Sequence, residues 1–303
     1  MTDNISWLED RVSGNGTPVV IDGGMGTQLE KSGVPMDDKV WSSRAVLSHP
    51  ETVRQVHEEF ITAGAEVIIT NTFAAARHML QPGGLGDHVK DINLNAVKLA
   101  QQARDSVAKE PVAIAGSICE WAPADDPEWH TPEAIGRSTR EQAGLLVEAG
   151  VDLIALEMCE RTAFSVAATN AALEFGLPVW IGISARTHKG GGPLSVFSYE
   201  DLEFESLVKC LAGYPAMMMN IMHTPVPDVD EAMEVVKRYW GGPVGIYPES
   251  GYFTMPNWHF VDVIDPDKLA KIAQTWIGNG ARMVGGCCGL GPEHISALRQ
   301  ALS

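Results

Sequence analysis

The chain lacks a surplus of basic residues. Its 303 residues carry 22 Lys and Arg against 39 Asp and Glu, a formal net charge of −17. No basic stripe is present either, which disfavours nucleic-acid backbones as partners. Apolar runs of about eighteen residues or more are also missing, so no membrane span is expected. The opening segment MTDNISWLED has no basic region followed by an apolar stretch, and so does not read as a signal peptide. Cysteine is scarce and odd in number, with five residues at positions 119, 159, 210, 287 and 288. Such a set makes a poor disulfide framework and points to a reducing compartment, with the cytoplasm as the default. The phosphate-loop pattern GxxxxGK[ST] is absent, and no internal repeat or low-complexity segment stands out.

What is present is a regular series of short apolar runs. Eight of them, Val19–Gly24, Glu66–Thr72, Val112–Ile118, Asp152–Met158, Pro178–Ser184, Ala216–Met222, Pro243–Pro248 and Ala281–Cys287, are nearly continuous in Val, Ile, Ala or Met. Continuous rather than alternating apolarity predicts strands covered on both faces of a parallel sheet. Amphipathic stretches of helical length separate them: Glu51–Ala65, Val89–Lys109, Pro132–Ala149, Thr162–Phe175, Asp201–Leu211, Val229–Tyr239 and Pro266–Ile277. Ala63-Gly64, Ala149-Gly150 and Asn279-Gly280 suit helix ends. Pro248–Trp258 reads as a longer loop after the seventh strand. Eight βα units predict an α/β fold, a (β/α)₈ TIM barrel spanning residues 1–303 as a single domain. A doubly wound sheet is the alternative.

Active sites of such barrels lie at the C-terminal strand ends. Polar residues concentrate there: Asp22, Thr70-Asn71-Thr72, Ser117, Glu157, Ser184, Asn220, Tyr247 and Glu249. The turn Asp22-Gly23-Gly24-Met25-Gly26-Thr27 offers exposed amides for a carboxylate and Asp22 for an ammonium, or else it is a tight turn with Asp22 as a cap. Glu157 ends the apolar run Leu153–Leu156, where an unpaired carboxylate is costly. Either an amino-acid ammonium or an internal partner, Arg161 or Arg186, would meet it. The glycines of Gly285-Gly286-Cys287-Cys288-Gly289 let the strand pleat break, so that both sulfurs can turn toward one soft metal ion. Buried, inert thiols are the alternative. Cys119 and Cys159 are reserve ligands. Trp41, Trp121, Tyr247, Tyr252 and Trp258 lie in or beside the same loops, where their faces could hold a sulfonium or quaternary ammonium group or simply pack.

Taken together, Asp22-Gly-Gly-Met-Gly-Thr27, Thr70-Asn-Thr-Phe73, Ala115-Gly-Ser117, Asp152-Leu-Ile-Ala-Leu-Glu157, Tyr247-Pro248, Gly285-Gly-Cys-Cys-Gly289 and Gly291-Pro-Glu-His-Ile295 resemble, in order, the homocysteine S-methyltransferase family. The resemblance covers nearly the whole chain. It implies a (β/α)₈ barrel, Asp22 and Glu157 toward homocysteine, and zinc on Cys287 and Cys288. The candidate substrate-binding residues are thus Asp22, Gly23, Gly24, Thr72, Ser117, Glu157, Asn220, Tyr247 and Glu249.

The sequence departs from the family pattern at the third zinc ligand. Isoleucine stands at position 221, where the family has cysteine after the asparagine of Asn220-Ile221-Met222-His223. Isoleucine cannot bind zinc. His223 lies two residues on and would share a face with Ile221 if the strand continued, completing a Cys₂His set; the alternative is a capping or solvent histidine. Glu249, Met158 and Cys119-Glu120-Trp121 are further departures at the ligand face, and Glu249 would favour a cationic group.

The resemblance implies a zinc-dependent methyltransferase of the EC 2.1.1 class, in methionine biosynthesis. It would move a methyl from a sulfonium or quaternary-ammonium donor to homocysteine or a related thiol. A zinc-free barrel enzyme acting on another amino-acid-like molecule, and a non-catalytic amino-acid-binding relative, are the alternatives. The expected partners are the small-molecule thiol acceptor and methyl donor, without nucleic acid or membrane; a homo-oligomer is left open.

Overall fold

A computed structural model of the protein describes residues 5–121, 127–188 and 192–302. Eight strands form one parallel sheet: β1 (Val19–Val20), β2 (Val67–Ile69), β3 (Ala113–Cys119), β4 (Leu153–Cys159), β5 (Val179–Ile183), β6 (Met218–Pro225), β7 (Val244–Glu249) and β8 (Ala281–Val284). From β2 to β8 each strand pairs with the next in sequence, and β8 pairs with β1. An Ile21–Val67 bridge links β1 to β2 and closes the ring. The fold is the expected TIM barrel, not the doubly wound sheet.

Helices separate the strands where the amphipathic runs predict them, among them Pro50–Ala63, Val89–Val107, Pro132–Ala149 and Pro266–Gly278. Their ends follow local chemistry. Thr131 and Asp265 accept backbone N–H groups at two helix starts, each followed by proline; left-handed Gly150 ends the helix that Thr131 begins, and left-handed Gly64 ends Pro50–Ala63. The expected loop after β7 instead contains a hairpin, Tyr252–Thr254 paired with Asn257–His259.

Two apolar layers result from strand alternation. Val20, Ile68, Ile114, Ile154, Ile181, Ile221 and Val284 pack outward with helix residues such as Phe60, Ile92 and Leu146. Val19, Ile69, Ala115, Ala155, Trp180, Met218, Met222 and Met283 fill the interior. Leu8 and Val12 of an N-terminal helix, α1 (Ser6–Val12), join that interior cluster and plug the N-terminal end of the barrel. The cavity that reaches His223 and Cys288 lies at the opposite end.

Two strands are irregular at that end. Pairing shifts register between Leu156 and Cys159 on β4 and between Met222 and Pro225 on β6. Within these bulges Met158 (φ 56°) and His223 (φ 49°) take left-handed backbone, a conformation that side-chain-bearing residues hold only where their surroundings enforce it.

Candidate functional site

The floor of the site forms where β8 leaves the sheet. The N–H groups of Gly285, Gly286 and Cys287 donate to the carbonyls of Ile246, Asp22 and Pro248 at 3.0, 3.1 and 2.7 Å. The segment is thereby tied to both β1 and β7. It also presses on the first turn, because a Cβ on Gly24 would sit 2.6 Å from the Cys287 carbonyl oxygen. Cys287 and Cys288 are both buried and free, with sulfurs 3.8 Å apart.

His223 supplies a third donor, by a route other than strand alternation. Ile221 points outward into the helix layer, so a continuing strand would turn His223 away from the cysteines. The β6 bulge reverses the alternation and aims the imidazole inward. Its Nδ1 lies 3.1 Å from Cys287 Sγ, whereas Nε2 lies 4.0 Å away. Among the described residues, His223, Cys287 and Cys288 are the group of potential ligands with metal spacing, their donor atoms lying within 4.8 Å of one another. Cys119 and Cys159 are not part of it.

The donor set fits zinc. Two Zn–S bonds of about 2.3 Å at a tetrahedral angle put the sulfurs about 3.8 Å apart, and the observed separation is 3.8 Å. The charges are prepared as well. Burial would depress the His223 imidazole, but hydrogen bonds with Cys288 and Glu157 carry it up to about 10. The Cys287 hydrogen bond outweighs burial and, with His223, brings Cys288 down to about 6, while burial pushes Cys287 well up. Hydrogen bonding thus lowers one thiol of the pair while burial raises the other, beside an imidazole whose proton a metal would displace.

Glu157 has a different partner from those expected. Arg186 pairs with Glu249 at 3.2 Å, and Arg161 meets the His130 ring at 2.6 Å and covers Phe164. Glu157 Oε2 instead accepts from His223 Nε2 at 2.9 Å, and Oε1 accepts from Ser117 Oγ at 2.5 Å. Thr72 Oγ1 donates to the Ser117 carbonyl at 2.8 Å, which steadies β3 beneath that pair. The Gly24 amide, expected to be open to a carboxylate, donates to the Leu290 carbonyl at 3.0 Å, and Tyr247 Oη donates to the Gly23 carbonyl at 3.1 Å. Both glycines therefore brace the floor.

Asp22 and Asn220 keep unused hydrogen-bonding capacity. Asp22 Oδ2 accepts from the Ile69 amide, but Oδ1 has no partner, and both polar atoms of the Asn220 side chain are likewise buried without one. Burial pushes the Asp22 carboxyl well above its usual range. Polar atoms left so are costly unless a ligand engages them.

Above the floor opens a cavity of about 230 Å³ that reaches His223, Cys288 and Glu249. Its walls include Trp41, Phe73, Trp121, Phe197, Phe253 and Trp258, with Met79, Met158 and Met255. Trp41, Trp121 and Trp258 were legible as loop aromatics, and Phe73 lies in a motif the sequence displays. Phe197 and Phe253 carry no local signal. Tyr252 lies outside the wall and stacks on His259.

Comparison with known proteins agrees with this geometry. A sequence model described as homocysteine S-methyltransferase matches residues 19–302. The chain is 29% identical to a homocysteine S-methyltransferase of Escherichia coli, with 93% of this chain and 94% of that protein aligned. It is 27% identical to a selenocysteine methyltransferase of Astragalus bisulcatus, over 95% of this chain and 93% of that one. The crystal structure of the Escherichia coli homocysteine methyltransferase MmuM, metallated form, superposes with a TM-score of 0.77 at 25% identity, covering 98% of this chain and 99% of the other.

Proposed function

The chain belongs to the homocysteine S-methyltransferase family, and we propose that it moves a methyl group from a sulfonium or quaternary-ammonium donor to homocysteine or a related thiol, with zinc held by Cys287, Cys288 and His223. One observation carries this: two cysteines and a histidine lie at metal-ligand spacing, and two of them, His223 and Cys288, line an aromatic cavity.

Cys287, Cys288 and His223 would hold the zinc and leave it accessible to a substrate thiol. Zinc, when bound, supplies a positive centre that turns a thiol of ordinary pKa about 8.5 into a thiolate at neutral pH. The remaining work falls to the chain. The unpartnered Oδ1 of Asp22 receives the acceptor's ammonium, and the buried, unpartnered side chain of Asn220 can meet its carboxylate. The aromatic and methionine walls surround the donor's cation and exclude water, with Glu249 as a nearby carboxylate. Held in line, the acceptor sulfur attacks the methyl carbon. The electron pair of the breaking bond returns to the donor's sulfur or nitrogen and cancels its charge.

Metal analysis under reducing conditions tests this reading. About one zinc per chain is expected in the native protein, with the site lost in His223→Ala. A His223→Ala protein that keeps full zinc would remove His223 from the set, and a native protein that methylates homocysteine after exhaustive chelation would remove zinc from the reaction.

A further inference from the structure

We propose that Glu157 is a positioning residue for His223 and not the carboxylate that receives the acceptor's ammonium, which leaves that role to Asp22; this rests on the zinc reading above. A thiolate offers a metal a single donor atom. An imidazole offers two, on opposite edges of a plane, so its ring orientation and its tautomer must both be fixed. The structure supplies what is needed. Glu157 Oε2 accepts a hydrogen bond from Nε2–H at 2.9 Å, leaving Nδ1 as the nitrogen 3.1 Å from Cys287 Sγ.

Each Glu157 oxygen already accepts a hydrogen bond. Its Oε1 is taken by Ser117 Oγ at 2.5 Å, so a chain of contacts runs from Ser117 through Glu157 and His223 to Cys287. The left-handed backbone of His223 (φ 49°) makes an external hold more necessary. Phe73 and Tyr247 flank the ring, with centroids 5.4 and 6.4 Å away, and neither fixes its tautomer. Asp22 differs in the relevant respect, since its Oδ1 is buried and has no partner at all.

The test compares Glu157→Ala, Glu157→Gln, Asp22→Asn, His223→Ala and the Glu157→Ala/His223→Ala double variant. Two readouts are taken: Co(II) affinity, with its thiolate-to-metal absorption, on metal-free protein, and KM for homocysteine at saturating zinc. Glu157→Ala is expected to weaken Co(II) binding about 10–100-fold, the usual cost of losing such a partner. Its homocysteine KM should stay near the native value, while Asp22→Asn raises that KM on the order of tenfold. Glu157→Gln fills the same volume and its amide oxygen still accepts from Nε2, so it should keep most of the affinity and the KM, and it decides the matter alone if the alanine variant does not fold. The double variant should bind Co(II) no worse than His223→Ala. Native Co(II) affinity in Glu157→Ala, or a homocysteine KM raised on the order of tenfold in Glu157→Gln, would overturn the proposal and give the ammonium to Glu157. Native Co(II) affinity in His223→Ala would instead overturn the zinc set beneath it.

Discussion

Asp22 Oδ2 accepts the Ile69 amide hydrogen at 2.7 Å while Oδ1 faces no donor. One oxygen joins β1 to β2 and the other is held ready, at an energetic cost to the unliganded fold. Burial raises the Asp22 carboxyl well above the usual range, so the unfolded chain ionises first and stability is lost as pH rises above about 4. Asp22→Asn removes that loss. Its unfolding free energy in urea, without substrate, should exceed the native value at pH 8, with the difference closing toward pH 4.

Donor recognition should separate from metal binding. Glu249→Gln removes a carboxylate from the cavity and Trp121→Leu removes an aromatic face. Trp121→Leu is expected to raise KM for a cationic donor by about 5–30-fold, equivalent to about 1–2 kcal/mol, and Glu249→Gln to raise it in the same direction. Zinc content and KM for the acceptor should stay near native values in steady-state assays. Equal losses for donor and acceptor would contradict this division of the site.

Metal should also stabilise the fold, because the three ligands come from β6 and from the segment after β8. Binding to the folded state alone adds about 2.7 kcal/mol at 100 times the dissociation constant. Zinc is therefore expected to raise the melting temperature of the reduced, metal-free protein by several degrees, and Cys287→Ser should abolish the increment. Calorimetry with and without zinc measures it.

Acid should unfold the protein through two buried histidines away from the metal group. Burial holds His57 down to about 3 and His78 down to about 4, against about 6.5 in the unfolded chain. Below that value the unfolded state takes up protons that the folded state refuses, so stability falls as pH falls. Each contributes a slope of about 1.4 kcal/mol per pH unit between roughly 6 and 4. His57→Gln should reduce the slope of unfolding free energy against pH by about one proton.

The barrel was legible because its information is local. Continuous apolar runs mark strands buried on both faces, and the Gly64 and Gly150 ends mark where helices stop. The N-terminal helix plug and the hairpin after β7 were not legible, since neither repeats a βα unit. At the site, Cys287 and Cys288 could be read from their glycine setting and His223 from its closeness to Ile221. The predicted reason for His223 was nonetheless different from the observed one. A regular strand would carry it outward with Ile221, and only the bulge brings it in.

The sequence by itself determined the order of strands and helices, the family, and the set of residues able to hold a metal. These depend on side-chain type and on spacing along one segment. Only the tertiary structure decided how they are used. The β6 bulge depends on pairing with β7, which no pattern within β6 records. The partners of Glu157 and Glu249 come from segments 66 and 63 residues distant, and electrostatic pairing follows distance in space. Arg161 and Arg186 were plausible partners for Glu157 by charge. His223 holds that place because the folded barrel brings its Nε2 to within 2.9 Å.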